Sequence, residues 1–367
     1  MQIGIIGLPK SGKTTVFNAL SRGEAQTDTY SSTALAPNIG VVKVPDPRLD
    51  SLTKILKPKR TVPTEVTYID IAAPSAKGFG KGEGPGGQFL AYLSKVDALA
   101  HIARTFEDER VPHPEGSVNP ERDISTMNLE LAFSDMGIIE RRLERLHSSL
   151  KGAKPQEREL ISREQTLLER IKIGLEADKP IREQVFTENE AKMLENFQFL
   201  TAKPMLLLIN IGEKQIPQAS ALESAFAAKY CRLHCDVAAL CGKIEMELAQ
   251  LNNAEAQEFR TSLGVGESGL DRVIRLSYGL LGLISFFTIA SDEVKAWTIR
   301  HSTPAQKAAG KIHTDMERGF IRAEVIRHDD LVKCGSLAEA KKHGLLHTEG
   351  KHYIVQDGDV LTILFNV

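Results

Sequence analysis

Apolar residues are arranged along the chain in three textures. In the first, short apolar runs alternate with stretches of helical spacing. "IGIIG" stops at a glycine, "KTTVFNALSRG" carries apolar residues at helical intervals and also ends at a glycine, and further runs follow in "NIGVVKV", "TEVTYIDIA", "DALAHIARTF" and "PMLLLINI". Such alternation predicts a largely parallel sheet with helices on both faces. Between residues 121 and 200 the texture becomes long and polar, with apolar residues every third or fourth position in "MNLELAFSDMGIIERRLERLHSSL" and "ERELISREQTLLERIKIGLEA". Two long helices joined near "KGAKPQE" are expected there, an antiparallel arm that either packs only on itself or binds a partner. From about residue 284, short β-rich segments such as "ISFFTIA", "VKAWTIR" and "GFIRAEVI", glycine turns and one helix-like "SLAEAKKHG" predict a small α+β domain. The pattern divides the chain into a sheet domain over 1–125 and 201–282, an inserted helical arm over 126–200, and a C-terminal domain over 283–367.

Composition adds exclusions. With 367 residues and 42% hydrophobic positions, the chain is long enough for two or three domains with ordinary cores. No apolar run reaches the roughly 18 to 20 residues that a bilayer span needs, and Met1 leads directly into "QIGIIG". A cytoplasmic protein with no membrane partner is expected. The net charge of -2 predicts no wholesale attraction to nucleic acid and no DNA partner, so any RNA contact has to come from a local patch. Three of the four cysteines fall in "CRLHCDVAALC" (Cys231, Cys235, Cys241), which lacks the paired CxxC halves of a zinc site; reduced thiols are expected.

The chemistry begins at "GIIGLPKSGKTTVFNAL". Gly7 to Thr14 reads GxxxxGK[ST] between a predicted strand and a predicted helix. Glycines let the backbone wrap an anion, successive N–H groups and the helix start supply positive potential, and Lys13 reaches the β and γ phosphates. Lys10, Ser11, Gly12, Lys13, Thr14 and Thr15 are the expected nucleotide contacts, with the Thr14 hydroxyl on Mg²⁺. Asp70 ends the run "TYID", where a carboxylate would hold the metal through water, and it joins Lys13 as the expected catalytic pair. "MLLLINIGE" ends a further run in Asn210, followed by Glu213, where such folds read the base. All lie at carboxyl ends of predicted parallel strands, where open α/β sheets bind ligands.

With these motifs the chain resembles the Obg-like ATPases of the YchF type, in the translation-factor class of P-loop NTPases. The resemblance covers nearly the whole length and rests on "GLPKSGKTTVFNAL", "APNIGVVKVPDPRLDSL", "YIDIAA", "GKGEGPGGQFLA", "FEDERVPHPEGSVNPERDI", "NIGE", "VKAWTIRHSTPAQKAAGKIHTDMERGFIRAEVI" and "YIVQDGDVLTILFNV". It implies an α/β P-loop G domain interrupted by a helical coiled-coil arm, a C-terminal ubiquitin-like TGS domain forming a basic groove with it, and ribosome association. It also implies ATP rather than GTP. GTPases end their base-reading strand in NKxD, whereas this chain has Asn210, Ile211, Gly212 and Glu213, with a longer carboxylate and no lysine stem. By the same resemblance Phe106 and Ile211 border the base, and Cys241, Gly242 and Lys243 form the last loop around it.

The chain departs from that pattern at three places. Ala34 stands where the family has a metal-binding threonine, and Thr33 beside it can ligate Mg²⁺ only if the loop shifts register. Ala73 replaces a glycine and Pro74 falls where related GTPases place a water-orienting glutamine. Lys10 replaces an asparagine that helps hold a monovalent cation, so its ammonium either stands in for that ion or points to solvent. In the TGS-like segment Arg300, Lys307, Lys311, Arg318, Arg322 and Arg327, with Trp297 and Phe320, are the candidate RNA contacts, though acidic residues are interleaved. The expectation is a Mg²⁺-dependent, slow ATP-hydrolysing switch that works with a ribosomal or RNA partner through arm and TGS groove. A nucleotide-binding scaffold without turnover and a GTPase switch are the alternatives.

Overall fold

The computed structural model describes residues 1–21, 37–71, 87–265, 267–290 and 292–366. Thr33, Ala34, Ala73 and Pro74 lie outside the described residues. In chain order the elements are β1 (Gln2–Ile6), α1 (Lys13–Leu20), β2 (Asn38–Lys43), α2 (Pro47–Leu56), β3 (Arg60–Val62), β4 (Glu65–Asp70), α3 (Gly87–Lys95), β5 (Ala98–Arg104), α4 (Pro120–Leu150), α5 (Pro155–Glu176), α6 (Glu188–Leu194), β6 (Met205–Asn210), α7 (Ala219–Tyr230), β7 (Cys235–Leu240), α8 (Gly242–Leu248), α9 (Asn253–Ser262), α10 (Gly269–Leu280), β8 (Leu283–Ile289), β9 (Glu293–Arg300), α11 (Ala305–Ile312), α12 (Thr314–Arg318), β10 (Phe320–Arg327), α13 (His328–Cys334), α14 (Leu337–Lys342), β11 (His347–Glu349) and β12 (Asp359–Phe365). They form two units, residues 1–41 with 67–270, and residues 42–66 with 271–367.

The first unit is built on a sheet of order β2-β4-β1-β5-β6-β7. The pairs β1–β4, β1–β5, β5–β6 and β6–β7 are all parallel, as the apolar runs predict. Every residue of β5 and β6 is buried, so both faces of the sheet centre are covered, which is why these strands read as continuous apolar runs rather than alternating ones.

The arm also forms where its spacing predicts. Asn119 caps α4 by accepting from Arg122 N at 3.1 Å, Pro120 takes the first turn, where its missing N–H costs nothing, and Glu121 and Asp123 add negative charge to that turn. The two arm helices close over Ile139, Leu146, Leu167, Leu168, Ile171 and Leu175. Arg142 grips Glu164 through two bonds of 2.7 and 2.9 Å on the flank. Nearer the sheet, Asp135 is fully buried and accepts from Leu200 N, Thr201 N and Thr201 Oγ1 at 2.9, 2.8 and 2.7 Å, tying α4 to the chain that re-enters β6.

The second unit has a mixed sheet of order β11-β10-β12-β8-β9-β3. Adjacent Phe286 and Phe287 on β8 enter different core clusters, the first with Ala305 and Ala308, the second with Leu49 and Leu331, so this sheet too is covered on both faces. Four helices follow β9 where the sequence reading singles out only α14. Residues 305–312, "AQKAAGKI", place Ala305, Ala308, Ala309 and Ile312 at helical spacing against Gln306, Lys307 and Lys311, so this short helix is legible in the sequence and was missed; Ala305, Ala308 and Ala309 are its buried face. Residues 42–66, which the pattern assigns to the sheet domain, belong here instead. β3 pairs in parallel with β9, Leu49 and Leu52 enter the core, and Arg48 lies 2.9 Å from both Asp46 and Asp357. No helix among the described residues is long and apolar enough to cross a membrane.

Candidate functional site

The phosphate loop leaves β1 and turns into α1 through three residues of positive φ, Gly7 (148°), Lys10 (65°) and Gly12 (93°). A Cβ at Gly7 would stand 2.5 Å from the Ile102 carbonyl oxygen and one at Gly12 would strike the Asn210 side-chain amide, so the loop closes only over glycine at both places. Among the described residues no side chain caps the start of α1, and its first turn holds no acidic residue, which leaves the helix N–H groups and their positive potential directed at the loop. The Ser11 hydroxyl is buried and has no partner among the described residues. Lys10 is exposed, and its carbonyl accepts from Arg104 Nη1 at 3.3 Å.

Lys13 folds back on the loop. Its Nζ donates to the Gly7 and Leu8 carbonyls, both at 3.0 Å, inside a site where only 9% of the residue is exposed. Burial pushes the ammonium down to about 8, and the charge of Asp70 opposes that shift. Asp70, 4% exposed, pairs across β4 with Ile5 of β1, and its Oδ2 accepts from Thr14 Oγ1 at 3.1 Å. The hydroxyl and the carboxylate expected to manage a metal thus meet at one point. His101 on β5 is fully buried, with neither ring nitrogen bonded among the described residues; burial first, then the charges of Lys13 and Arg182, push it down to about 3, so the ring is neutral.

The base side is assembled around Asn210. Its Nδ2 donates to the Ser11 carbonyl at 2.9 Å and its Oδ1 accepts from Gly242 N at 3.0 Å, so one buried amide joins the phosphate loop to the loop before α8. Three residues on, Glu213 Oε1 meets Lys243 Nζ at 2.5 Å. Cys241 is buried at the start of α8, and burial raises its thiol. Phe106 is half-buried with the Arg104 guanidinium 4.4 Å from its ring centroid. The structure brings Lys10 through Thr14, Asp70 and Asn210 into one bonded set. Thr15 is half-buried in the first turn of α1. Ile211 belongs to the apolar cluster with Ala103, Leu207 and Ile209, so what it can offer a base is backbone.

Three positioning elements escape the sequence reading. Arg104 is 1% exposed and donates from Nε to the Phe106 carbonyl at 2.9 Å, linking the aromatic side of the site to Lys10. A cation ending the apolar run "ALAHIAR" is the signal that could have found it. Gln215 accepts from Gly212 N at 2.8 Å and donates to the Thr105 carbonyl at 3.3 Å, which fixes the turn that carries Glu213. His113 and Asp123 form a buried pair, 2.8 Å apart, braced by Arg122 at the start of α4.

In the second unit the six basic candidates from Arg300 to Arg327 are all exposed. Lys307 is held by Glu317 at 2.6 Å, and Arg327 lies 3.9 Å from Asp359. Trp297 and Phe320 pack against the core cluster of β8, α11 and β10, and Lys295 lies 3.7 Å over the Trp297 ring.

Comparison with known proteins gives consistent matches. A family profile described as 50S ribosome-binding GTPase matches residues 2–136, and that of the YchF-GTPase C-terminal domain, described as a protein of unknown function, matches residues 283–366. The chain is 42% identical over 366 residues to the "Ribosome-binding ATPase YchF" of Bacillus subtilis, covering 99% of each, and 38% identical to "Obg-like ATPase 1" of Caenorhabditis elegans, covering 100% of this chain and 92% of that one. The solved structure of the Schizosaccharomyces pombe YchF GTPase superposes with a TM-score of 0.86 at 31% identity, covering 99% of this chain and 97% of that one.

Proposed function

The chain belongs to the YchF type of Obg-like ATPases, and from that premise we propose that it is a Mg²⁺-dependent ATPase whose nucleotide state governs association with the ribosome. The observation that carries the reading is the meeting of Lys13, Thr14 and Asp70 at the carboxyl ends of β1 and β4. The glycine-lined cradle, the uncapped start of α1 and the orphaned Ser11 hydroxyl all fit a polyphosphate, and the hydroxyl–carboxylate pair fits a hard divalent cation.

Thr14 and Asp70 would hold Mg²⁺, which when bound neutralises charge on the phosphoryl oxygens. Lys13 would leave the Gly7 and Leu8 carbonyls for phosphate oxygens, exchanging two neutral acceptors for charged ones. Asn210 keeps the phosphate loop in register with the base loop while this happens. Adenine is favoured over guanine because Glu213 is engaged by Lys243, so the carboxylate that would accept from guanine N–H groups is already partnered. The relatives named as ribosome-binding support a ribosomal partner. The exposed arginines and lysines of the C-terminal domain supply phosphate contacts for RNA, and the core packing of Trp297 and Phe320 argues against their serving as stacking platforms.

Calorimetric titration of nucleotide-free protein with ATP and GTP, with and without Mg²⁺, tests the proposal. ATP binding that tightens with Mg²⁺, together with phosphate release above background, is expected. Affinity indifferent to the metal would leave a nucleotide-binding scaffold, and a preference for GTP would overturn the reading of Glu213.

A further inference from the structure

A second recess lies at the opposite edge of the first unit's sheet. A cavity of about 360 Å³ opens among α4, the short turn Ile181–Glu183, α7, and the first residues of β6 and β7, Met205 and Cys235. β5, β6 and β7 run parallel, so this is their amino-terminal edge, whereas Asn210 and the phosphate loop occupy the carboxyl-terminal edge. None of the nucleotide-site residues lines it.

Of the charged residues in its lining only Arg182, 7% exposed, is buried; Asp178, Lys179, Glu183, Lys229 and Arg232 lie nearer the solvent. Nη1 donates to the Thr201 carbonyl at 3.3 Å, Nη2 reaches Met205 Sδ at 3.8 Å, and Nε has no partner among the described residues. Asp135 and Glu183 attract the guanidinium through charge alone, and Asp178 is exposed at the rim. Asp135 spends its oxygens on Leu200 and Thr201, and Glu183 lies 3.5 Å from Arg232. A guanidinium stays charged even where burial lowers its affinity for the proton, and a buried charge without a direct counter-ion costs several kcal/mol. On α4, Asn128 Oδ1 is also buried and without a partner among the described residues. Ile124, Leu131, Leu175 and Leu207 give the wall an apolar stretch beside the polar Ser125 and Thr201. The rim cation Lys229 is paired with Glu121 at 2.8 Å.

A single water, with a share of about 30 Å³, would not fill this space. The one buried cation calls for one negative charge in the interior; the other cations of the lining, Lys179, Lys229 and Arg232, are exposed, so a second negative charge would have to stay at the rim to meet them. We propose that the cavity is a binding site for a small organic monocarboxylate with an apolar body, its carboxylate on the Arg182 Nε–H and a ligand hydroxyl or N–H on Asn128 Oδ1. Such a ligand would touch the root of α4 and the first residues of two sheet strands at once.

The test uses the full chain labelled with ¹³C-methyl methionine, with the Met205 resonance assigned through Met205→Leu. Benzoate, 4-hydroxybenzoate and hexanoate are titrated, with benzamide as the uncharged control. The expected result is a saturable Met205 shift with the acids, strongest for 4-hydroxybenzoate, absent with benzamide, and unaffected by MgATP. Arg182→Gln is expected to weaken it by about tenfold or more, and Ala132→Phe, which fills the cavity, to abolish it. No saturable shift with any of the acids, an equal response to benzamide, or displacement by MgATP would overturn the proposal. If Arg182→Gln does not fold, an undiminished shift in folded Ala132→Phe protein overturns it equally.

Discussion

Lys243 Nζ lies 2.5 Å from Glu213 Oε1, and about half of each side chain remains in solvent. At that exposure the pair adds little to stability, on the order of 0–1 kcal/mol. Its consequence is for base choice, because a carboxylate held by an ammonium is a poorer acceptor for guanine N–H groups. Lys243→Ala is expected to leave ATP affinity within about twofold and to raise GTP affinity by roughly tenfold, the size of one charge-assisted hydrogen bond. Competition with a fluorescent nucleotide reads both; an unchanged ATP-to-GTP ratio would remove the pair from the account of selectivity.

The 3.1 Å contact between Thr14 Oγ1 and Asp70 Oδ2 makes a separate expectation. Thr14→Val keeps the shape of the side chain and removes the oxygen. The dependence of ATP affinity on Mg²⁺ is expected to collapse while metal-free binding changes little. Titration in magnesium and in chelator distinguishes this from a general loss of the loop, in which both affinities fall together.

The contrast between these residues explains what could be read in advance. Lys13, Thr14 and Asp70 were legible because each sits at a fixed distance from a strand end, and an apolar run followed by a glycine loop or a lone carboxylate marks such an end. Arg104 and Gln215 were not, since they act by bonding backbone carbonyls and N–H groups of loops whose approach only the folded chain defines. The same reason hid the placement of residues 42–66. β3 is three residues long, and its membership in the second sheet depends on a partner, β9, more than two hundred residues away. The arm, by contrast, declares itself through local periodicity and local caps.

Asn210 carries two buried bonds of 2.9 and 3.0 Å to backbone on either side of it. Asn210→Ala leaves Gly242 N and the Ser11 carbonyl without those partners, a cost of about 1–3 kcal/mol for each group left buried and unsatisfied. A clear drop in melting temperature is expected, together with weaker binding of both nucleotides. Thermal unfolding with and without MgATP checks it, and a variant that melts normally would show that water replaces the amide.

Asp135 accepts three hydrogen bonds in full burial, yet burial still pushes its carboxyl up to about 6, against the pull of Thr201 and Leu200. A folded-state value above the unfolded one means that the native chain binds the extra proton between about pH 4 and 6. The contribution of this group to stability therefore falls as pH rises through that window. Asp135→Asn removes the titration but retains one acceptor. Its destabilisation relative to the parent is expected to be larger at pH 4.5 than at pH 7, because the parent loses this contribution between the two values, and urea unfolding at both measures the difference.

Lys13 supplies the sharpest pH signature. Its ammonium is pushed down to about 8 from an ordinary 10.5, by burial first and against the pull of Asp70. For a base whose folded value is lowered, the unfolded chain binds the proton more tightly. The penalty for burying the charge is then fully present below about pH 8 and is relieved as pH rises toward 10.5. Lys13→Met is accordingly expected to be more stable than the parent at pH 7, by up to about 3 kcal/mol less whatever the Gly7 and Leu8 carbonyls lose, with the advantage gone by pH 10.5. Polyphosphate reverses the balance, because negative charge beside the ammonium raises its affinity for the proton. Binding of Mg-saturated ATP at pH 8.5 is expected to take up about 0.7 proton and at pH 7 only a small fraction, read as the dependence of the calorimetric heat on buffer ionisation enthalpy. A heat independent of the buffer at pH 8.5 would mean that Lys13 is already charged in the free protein and that burial is not what sets its state.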